Sequence, residues 1–165
     1  MPSFAIELAT TADIPVIIDI HQNTWEPTYR EILSPEQIKF MSEEFYSTAA
    51  LENSISEKGH QFLILHADGV PCGFASLSEE MHQNFKLHKI YILPSFQGTG
   101  AGKYLISVAE NFAKERGANT ISLNVNRYNR ARYFYEKMAY QIIREEDIPV
   151  GPYWMNDFVL EKKLV

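Results

Sequence analysis

The sequence has a single cysteine, no long apolar run and no excess of basic residues. One cysteine, Cys72, excludes an intrachain disulfide and a cysteine-based zinc site, and it makes the cytoplasm the expected compartment. Because Cys72 lies in an apolar strand-like stretch, we interpret it as a buried structural thiol. No window approaches the about 18 apolar residues that a membrane span needs, and residues 1–9 do not resemble a secretory signal. The sequence therefore predicts a chain that is neither exported nor embedded in a membrane.

The shortage of basic residues is concentrated in one half of the chain. The whole sequence has 15 Lys and Arg against 21 Asp and Glu, a net charge of −6 that argues against a nucleic-acid partner. Residues 1–85 have three basic side chains and 13 acidic ones, a net charge of −10, whereas residues 86–165 have 12 basic and eight acidic ones, a net charge of +4. The two halves suit partners of opposite charge, although surface charges also cluster by chance.

No linker, repeat or low-complexity tract divides the 165 residues, so we expect one domain over 1–165. Its 10 Phe, 9 Tyr and 2 Trp supply one core. Hydrophobic periodicity and turn signals alternate between helix and strand and predict an α/β domain around a mixed sheet. The predicted strands are 3–8, 61–67, 70–77, 86–93, 120–125, 140–144 and 153–164, and the predicted helices begin near 10, 35, 47, 100 and 129.

The densest motif is Gln-Gly-Thr-Gly-Ala-Gly-Lys at residues 97–103, after a predicted strand and at the start of a helix. Glycines allow a ligand to approach the backbone closely, and the unpaired N–H groups of a helix N-terminus favour phosphate. A dinucleotide-binding fingerprint would need glycine where Lys103 stands. A P-loop would need glycine at Gln97 and a hydroxyl residue at Tyr104.

Two stretches resemble motifs of one family. Residues 97–102 follow their predicted strand as Gln-x-x-Gly-x-Gly, like the pyrophosphate loop of the GNAT superfamily of acetyl-CoA-dependent N-acetyltransferases. Residues 129–138, Asn-Arg-Ala-Arg-Tyr-Phe-Tyr-Glu-Lys-Met, resemble the second motif of that family. The layout is most similar to bacterial polyamine and protein N-terminal acetyltransferases. The resemblance implies a single GNAT-like domain with a mixed, mostly antiparallel central β-sheet flanked by helices.

The resemblance also implies where acetyl-CoA binds. In the family pattern, the strand backbone holds the pantetheine arm and the acetyl carbonyl, the loop holds the pyrophosphate, and an asparagine contacts the pantetheine. The residues at these positions are Ile90, Tyr91 and Ile92 on the strand, Gln97, Gly98, Thr99, Gly100, Ala101, Gly102 and Lys103 in the loop, and Asn129. The pattern implies no metal, and no histidine here has metal-ligand spacing.

Two catalytic residues are expected. Tyr135 falls on the family position whose hydroxyl serves as general acid toward the leaving thiolate, although an aromatic on a short helix can equally be core. The general base is less certain, because Lys86 stands near the position of the family's glutamate. His88 is predicted to share a strand face with Ile90 and Ile92, and its usual pKa near ~6.5 suits proton transfer. The alternatives are Glu26, Tyr29, Glu79 or Glu80, acting through a water.

The acceptor remains open at this stage. Trp25 and Tyr29 are four residues apart and, with Glu26, either form an aromatic, acidic wall for a cationic amine or pack between helices. A polyamine is the leading acceptor class, a peptide α-amine or lysine is the alternative, and a CoA-binding module without turnover is the third reading. Many family members form homodimers, and the sequence leaves the oligomeric state undetermined.

The sequence departs from the family's second motif at Ala139. This residue replaces a glycine of the motif and would be strained at positive φ.

Overall fold

The computed structural model describes residues 1–165. The helices are α1 (Ile14–Tyr29), α2 (Pro35–Tyr46), α3 (Thr48–Ser56), α4 (Ala101–Glu115) and α5 (Ala131–Lys137). The strands are β1 (Phe4–Leu8), β2 (Gln61–Ala67), β3 (Val70–Met81), β4 (Asn84–Ile92), β5 (Thr120–Asn126), β6 (Gln141–Val150) and β7 (Tyr153–Lys163). Short 3-10 turns lie at Thr11–Asp13 and Pro94–Phe96. None of the helices is long and apolar enough to cross a bilayer.

All seven strands form one sheet in the order β1-β2-β3-β4-β5-β7-β6. Every neighbouring pair is antiparallel except β4 and β5, which are parallel and connected by the crossover helix α4. The α/β class and the mixed, mostly antiparallel sheet predicted from the sequence are confirmed.

Each face of the sheet has its own core. Leu105, Ile106 and Ala109 of α4 pack on one face, against residues such as Leu65 and Leu123. On the opposite face, α1, α2 and α3 cover the sheet, with Ile17, Met41 and Leu51 among 13 buried residues. Because side chains of a strand alternate between faces, each strand contributes to both cores. The sheet therefore has one face covered by α4 and an opposite face covered by α1–α3.

Local sequence signals explain several element boundaries. Ser34 and Ser47 accept hydrogen bonds from N–H groups in the first turns of α2 and α3. Asp68 and Gly69, both at positive φ, form the predicted hairpin turn between β2 and β3. The strands β3 and β6 run further than predicted, to Met81 and Val150. The residues of these extensions are largely exposed and polar, so the sequence there lacks the apolar alternation that predicts a strand.

Candidate active site

A cleft of about 1140 Å³ opens in the middle of the sheet, where β4 and β5 part. The two strands pair only from Asn84 with Thr120 to Leu87 with Leu123, and beyond these residues they diverge. The end of α1, the open part of β4, the loop before α4, β5 and the start of α5 line the cleft. The two sequence motifs, which lie about 30 residues apart in the chain, therefore meet in one place.

The glycine-rich loop presents a run of unpaired donors to this cleft. Gly98 and Gly100 have φ of 79° and 88°, and a Cβ at either position would meet nothing within 4 Å. None of the backbone N–H groups of residues 98–103 donates a hydrogen bond within the protein. The side chain of Lys103, in the first turn of α4, is exposed at the same place. This donor set fits a phosphate group.

The open edge of β4 supplies a second set of unpaired backbone groups. The Leu93 N–H donates to the Cys72 carbonyl across β3 at 2.8 Å. Because hydrogen bonding alternates along an antiparallel pair, the backbone groups of Ile90 and Ile92 point away from β3 and into the gap. A ligand chain with amide groups can pair with this edge as a strand would. The cleft thus fits an extended cosubstrate with a phosphate-bearing end.

A β-bulge in β4 changes the expected position of His88. Ser76 pairs with Lys89 while Leu77 pairs with Leu87, so His88 is an extra residue between them. Its ring stacks on that of His60, with centroids 3.9 Å apart, and its Nε2 lies 2.7 Å from the Ser78 hydroxyl. The prediction that His88 shares a face with Ile90 and Ile92 is therefore wrong, because alternation is lost at the bulge.

The environment of His88 makes it a weak base. Burial lowers its pKa to about 3, and the neighbouring His60 and the charges of nearby lysines add to this effect. Glu80 lies 3.3 Å from Nε2 but is half exposed. The imidazole is therefore neutral at pH 7, and proton transfer to it from an ammonium group would be strongly uphill.

Tyr135 lies on α5 and is buried, and its side chain lines the cleft. Its ring packs edge-on against Phe134 and Tyr140, and its hydroxyl makes no hydrogen bond within the protein. Burial raises the pKa of this hydroxyl, and the neighbouring Tyr29 adds to the increase. The phenol therefore stays protonated at neutral pH and has a proton available for a group in the cleft.

The predicted cofactor residues lie around the cleft with two exceptions. Ile90, Tyr91, Ile92, Gln97, Gly98, Gly100, Gly102, Lys103 and Asn129 line it. Ala101 is turned into the core below α4, and the Thr99 hydroxyl donates to the Phe96 carbonyl, which closes the loop. The Asn129 side chain accepts a hydrogen bond from the Ala131 N–H at 2.9 Å and so also caps the start of α5.

The structure divides the three predicted acceptor residues between two surfaces, although the rings of Trp25 and Tyr29 are in contact, with centroids 4.7 Å apart. Tyr29 lines the cleft, where its hydroxyl lies 3.3 Å from that of Tyr91. Trp25 is 5% exposed and packs in the core under α1, and Glu26 pairs with Arg30 at 2.7 Å on the helix surface. Both line a separate groove between α1 and α2. Helical spacing predicts a shared face of α1, but it does not show which surface that face meets.

Sequence reasoning missed several residues of the cleft. Thr28 and Ile32 come from the end of α1 and the loop after it, and Lys89 comes from the bulge. Asn124 of β5 also lines the cleft, and the signal for it was present: a polar side chain interrupts an apolar strand. No group of three or more His, Cys, Asp or Glu side chains is arranged to hold a metal ion.

The fold and the cleft are those of an N-acetyltransferase. Residues 29–151 match the family described as the acetyltransferase (GNAT) domain, so the chain belongs to the GNAT family. The enzyme class predicted from the sequence is confirmed.

Three relatives show how far the similarity extends. Spermidine N(1)-acetyltransferase of Thermoplasma acidophilum is 30% identical over 166 residues, 98% of this chain and 98% of that protein. The crystal structure of PaiA N-acetyltransferase from T. acidophilum in complex with coenzyme A is 30% identical with a TM-score of 0.83, and the match covers 98% of this chain and 99% of that one. The ribosomal protein bS18-alanine N-acetyltransferase of Haemophilus influenzae is 32% identical over 95 residues, 58% of this chain and 64% of that protein.

Proposed function

We propose that the protein transfers the acetyl group of acetyl-CoA to a primary amine of a small cationic acceptor such as a polyamine, by direct attack in a ternary complex. One observation carries this proposal: a single cleft gathers the free N–H groups of residues 98–103, the open edge of β4 and the Tyr135 hydroxyl. Similarity over the full length to a spermidine acetyltransferase supports the polyamine acceptor. The single buried thiol, Cys72, supports a cytoplasmic location.

In this proposal, backbone groups do most of the work of holding acetyl-CoA. The loop N–H groups and the Lys103 ammonium bind the pyrophosphate, because a helix N-terminus stabilises negative charge. The backbone of Ile90 and Ile92 hydrogen-bonds the pantetheine arm and polarises the acetyl carbonyl, which develops negative charge as the amine attacks. Asn129 lies between these two regions and contacts the pantetheine.

Tyr135 serves as the general acid. The acceptor ammonium loses a proton, and its nitrogen attacks the thioester carbon. The nitrogen then loses a second proton as the tetrahedral intermediate collapses and the carbon–sulfur bond breaks. Tyr135 gives its proton to the departing sulfur and is reprotonated from solvent, so the reaction releases a CoA thiol and one proton. The raised pKa of Tyr135 supports this role, since the hydroxyl is protonated when the thiolate forms.

The proton acceptor for the amine is assigned differently from the sequence-based hypothesis. The low pKa of His88 argues against its acting as the base, and its ring packs on that of His60. Glu80 lies 3.3 Å from the His88 Nε2 and is half exposed, which supports a role for it in taking the proton through a water. We therefore expect His88→Gln to leave the acid limb of the pH–rate profile unchanged.

The proposal is tested by measuring thioester consumption over a panel of polyamines, monoamines and peptides. Polyamines should be the best acceptors, and Tyr135→Phe should lower kcat by about a hundredfold or more while the affinity for acetyl-CoA, measured by calorimetry, stays the same. Tyr133→Phe is the matched control, because Tyr133 is an exposed tyrosine on the same helix.

Three results would contradict parts of the proposal. Peptides as the only acceptors would replace the polyamine by a protein N-terminus or lysine. Binding of acetyl-CoA without turnover of any amine, unchanged by Tyr135→Phe, would favour a CoA-binding module. No binding of acetyl-CoA at micromolar protein would overturn the proposal as a whole.

A further inference from the structure

Asn124 has an orientation that its neighbours impose. Its Nδ2 donates to the Asp157 carboxylate at 3.2 Å and to the Glu146 carboxylate at 3.4 Å. Ionised carboxylates only accept hydrogen bonds, so the amide must turn its nitrogen toward them. Its Oδ1 has no partner within the protein, and the residue lines the cleft. Asn124 therefore presents a free acceptor atom to whatever occupies the cleft.

Asp157 is a buried carboxylate without a cation. It is 6% exposed, its Oδ1 is buried with no hydrogen-bond partner, and no Lys or Arg nitrogen lies within 4.0 Å of its carboxylate. Burial raises its pKa, whereas the Asn124 hydrogen bond and the charges of Lys86 and Arg127 act the other way. An ionised carboxylate that is buried away from water destabilises the protein unless a positive charge lies close to it.

The other charged groups around Asp157 do not supply that charge. Glu146 pairs with Arg144 at 2.8 Å, and Arg127 pairs with Asp147 at 2.8 Å and reaches only the main-chain carbonyl of Asp157. Lys86, on β4, makes no ion pair. Asp157 therefore has no direct ion pair, and its carboxylate lies beside Asn124.

The topology places this negative charge to one side of the reacting atoms. Alternation along β5 and β7 puts Asn124 and Asp157 on the face covered by α1–α3, opposite the face on which α4 packs. Asp157 is one strand beyond β5, and neighbouring strands are about 4.8 Å apart. A reacting amine nitrogen in the gap between β4 and β5 is thus separated from an ammonium group at Asn124 by the length of a few carbon atoms of the acceptor.

We propose that Asn124 binds the second, non-reacting ammonium group of a diamine or polyamine acceptor, and that Asp157 and Glu146 position its amide for this. The inference rests on the proposed function and names the residues that select its substrate. Asn124 contacts the ammonium through Oδ1, and the two carboxylates supply the negative potential behind it.

The experiment compares kcat/KM for putrescine with that for butylamine, which has the same carbon chain with one amine removed. The wild type should prefer putrescine, and Asn124→Leu and Asp157→Asn should each lower this preference by about tenfold or more. Glu146→Gln, at a more exposed side chain, should lower it less. Glu115→Gln is the matched control, because Glu115 is an exposed carboxylate of α4, on the opposite face of the sheet.

The ratio of the two amines separates recognition from stability, since a fold defect lowers both values together. Unchanged ratios in Asn124→Leu and Glu146→Gln overturn the inference even if Asp157→Asn fails to fold. A wild type that acetylates both amines equally overturns the inference and leaves the proposed function standing. A wild type that acetylates neither amine overturns both.

Discussion

At the scale of single residues, Ala139 shows how a departure from a motif becomes a measurable strain. Its φ is 73°, and the Tyr140 N–H donates back to the Tyr135 carbonyl at 3.0 Å, which closes the end of α5. This is the left-handed position after a helix, where glycine is normally found. The strain was predictable, because the second motif carries glycine there and this chain does not.

Replacing Ala139 by glycine should therefore stabilise the protein. Removing a side chain from a left-handed position should raise the free energy of unfolding by about 1 kcal/mol, measured by urea denaturation. The matched control is Ala49→Gly, the same change at an exposed position of α3, which should lower the free energy of unfolding by up to about 1 kcal/mol. Equal effects of the two substitutions would show that Ala139 is not strained.

Other residues of the site were predictable only in part. The loop glycines were predictable from local geometry, since Gly98 and Gly100 take positive φ, whereas Tyr135 was assigned only through its resemblance to a family motif. His88 was misplaced because a bulge depends on the register between β3 and β4, which no local pattern specifies. Trp25 and Glu26 were placed at the acceptor site because α1 is amphipathic, but its tertiary neighbours decide which surface each side reaches.

At the scale of elements, the layer between the sheet and helices α1–α3 is unusual in holding three neutral histidines. Burial lowers the pKa of His21 and of His60 to about 4, and of His88 to about 3, and Lys89 contributes to each of these shifts. His21 also stacks on Tyr46 of α2, with centroids 3.7 Å apart. The packing of this layer thus depends on uncharged imidazoles.

This layer should make the fold sensitive to mild acid. The folded pKa values lie below the unfolded value of about 6.5, so the unfolded chain takes up protons first, and stability falls as pH drops from about 6.5 toward about 4. Each histidine that stays neutral in the folded state should lower the free energy of unfolding by about 1 kcal/mol at about pH 5.5. Urea unfolding at about pH 7.5 and pH 5.5 measures this difference, and His88→Gln should reduce it.

The matched control for this measurement is His82→Gln, in the exposed turn between β3 and β4. It should leave the difference in unfolding free energy between the two pH values unchanged. A pH dependence that His88→Gln does not alter would show that His88 is protonated equally in both states.

At the scale of the whole molecule, the uneven charge follows the site only in part. The acidic residues 1–85 reach the cleft through the end of α1 and the loop after it, with Glu31 as their one carboxylate there, whereas the proposed ammonium site at Asn124 and Asp157 belongs to residues 86–165. The basic residues 86–165 include the loop with Lys103 and the start of α5. The order of elements and the class of fold were predictable from periodicity and turns, whereas the cleft depends on where β4 and β5 part, which the sequence does not mark.

The carboxylates of Asp157 and Glu146 should make the binding of a doubly charged acceptor sensitive to salt. Raising the ionic strength from about 0.1 M to about 1 M shortens the screening length from ~10 Å to ~3 Å, so KM for putrescine should rise several-fold. KM for butylamine, with one charge fewer, should rise less. Steady-state kinetics at the two salt concentrations measure both, and parallel increases would assign the effect to acetyl-CoA binding alone.

The parting of β4 and β5 also bears on how the protein behaves among other chains. A sheet whose strands are paired along their whole length has two free edges, but here the inner sides of β4 beyond Leu87 and of β5 beyond Leu123 add two more. Unpaired strand edges are templates for pairing with a foreign strand, which is the first step of aggregation. The opening that admits the substrates thus adds an exposed strand edge in the middle of the sheet. We expect bound acetyl-CoA to protect the protein from aggregation, because it would occupy these same backbone groups.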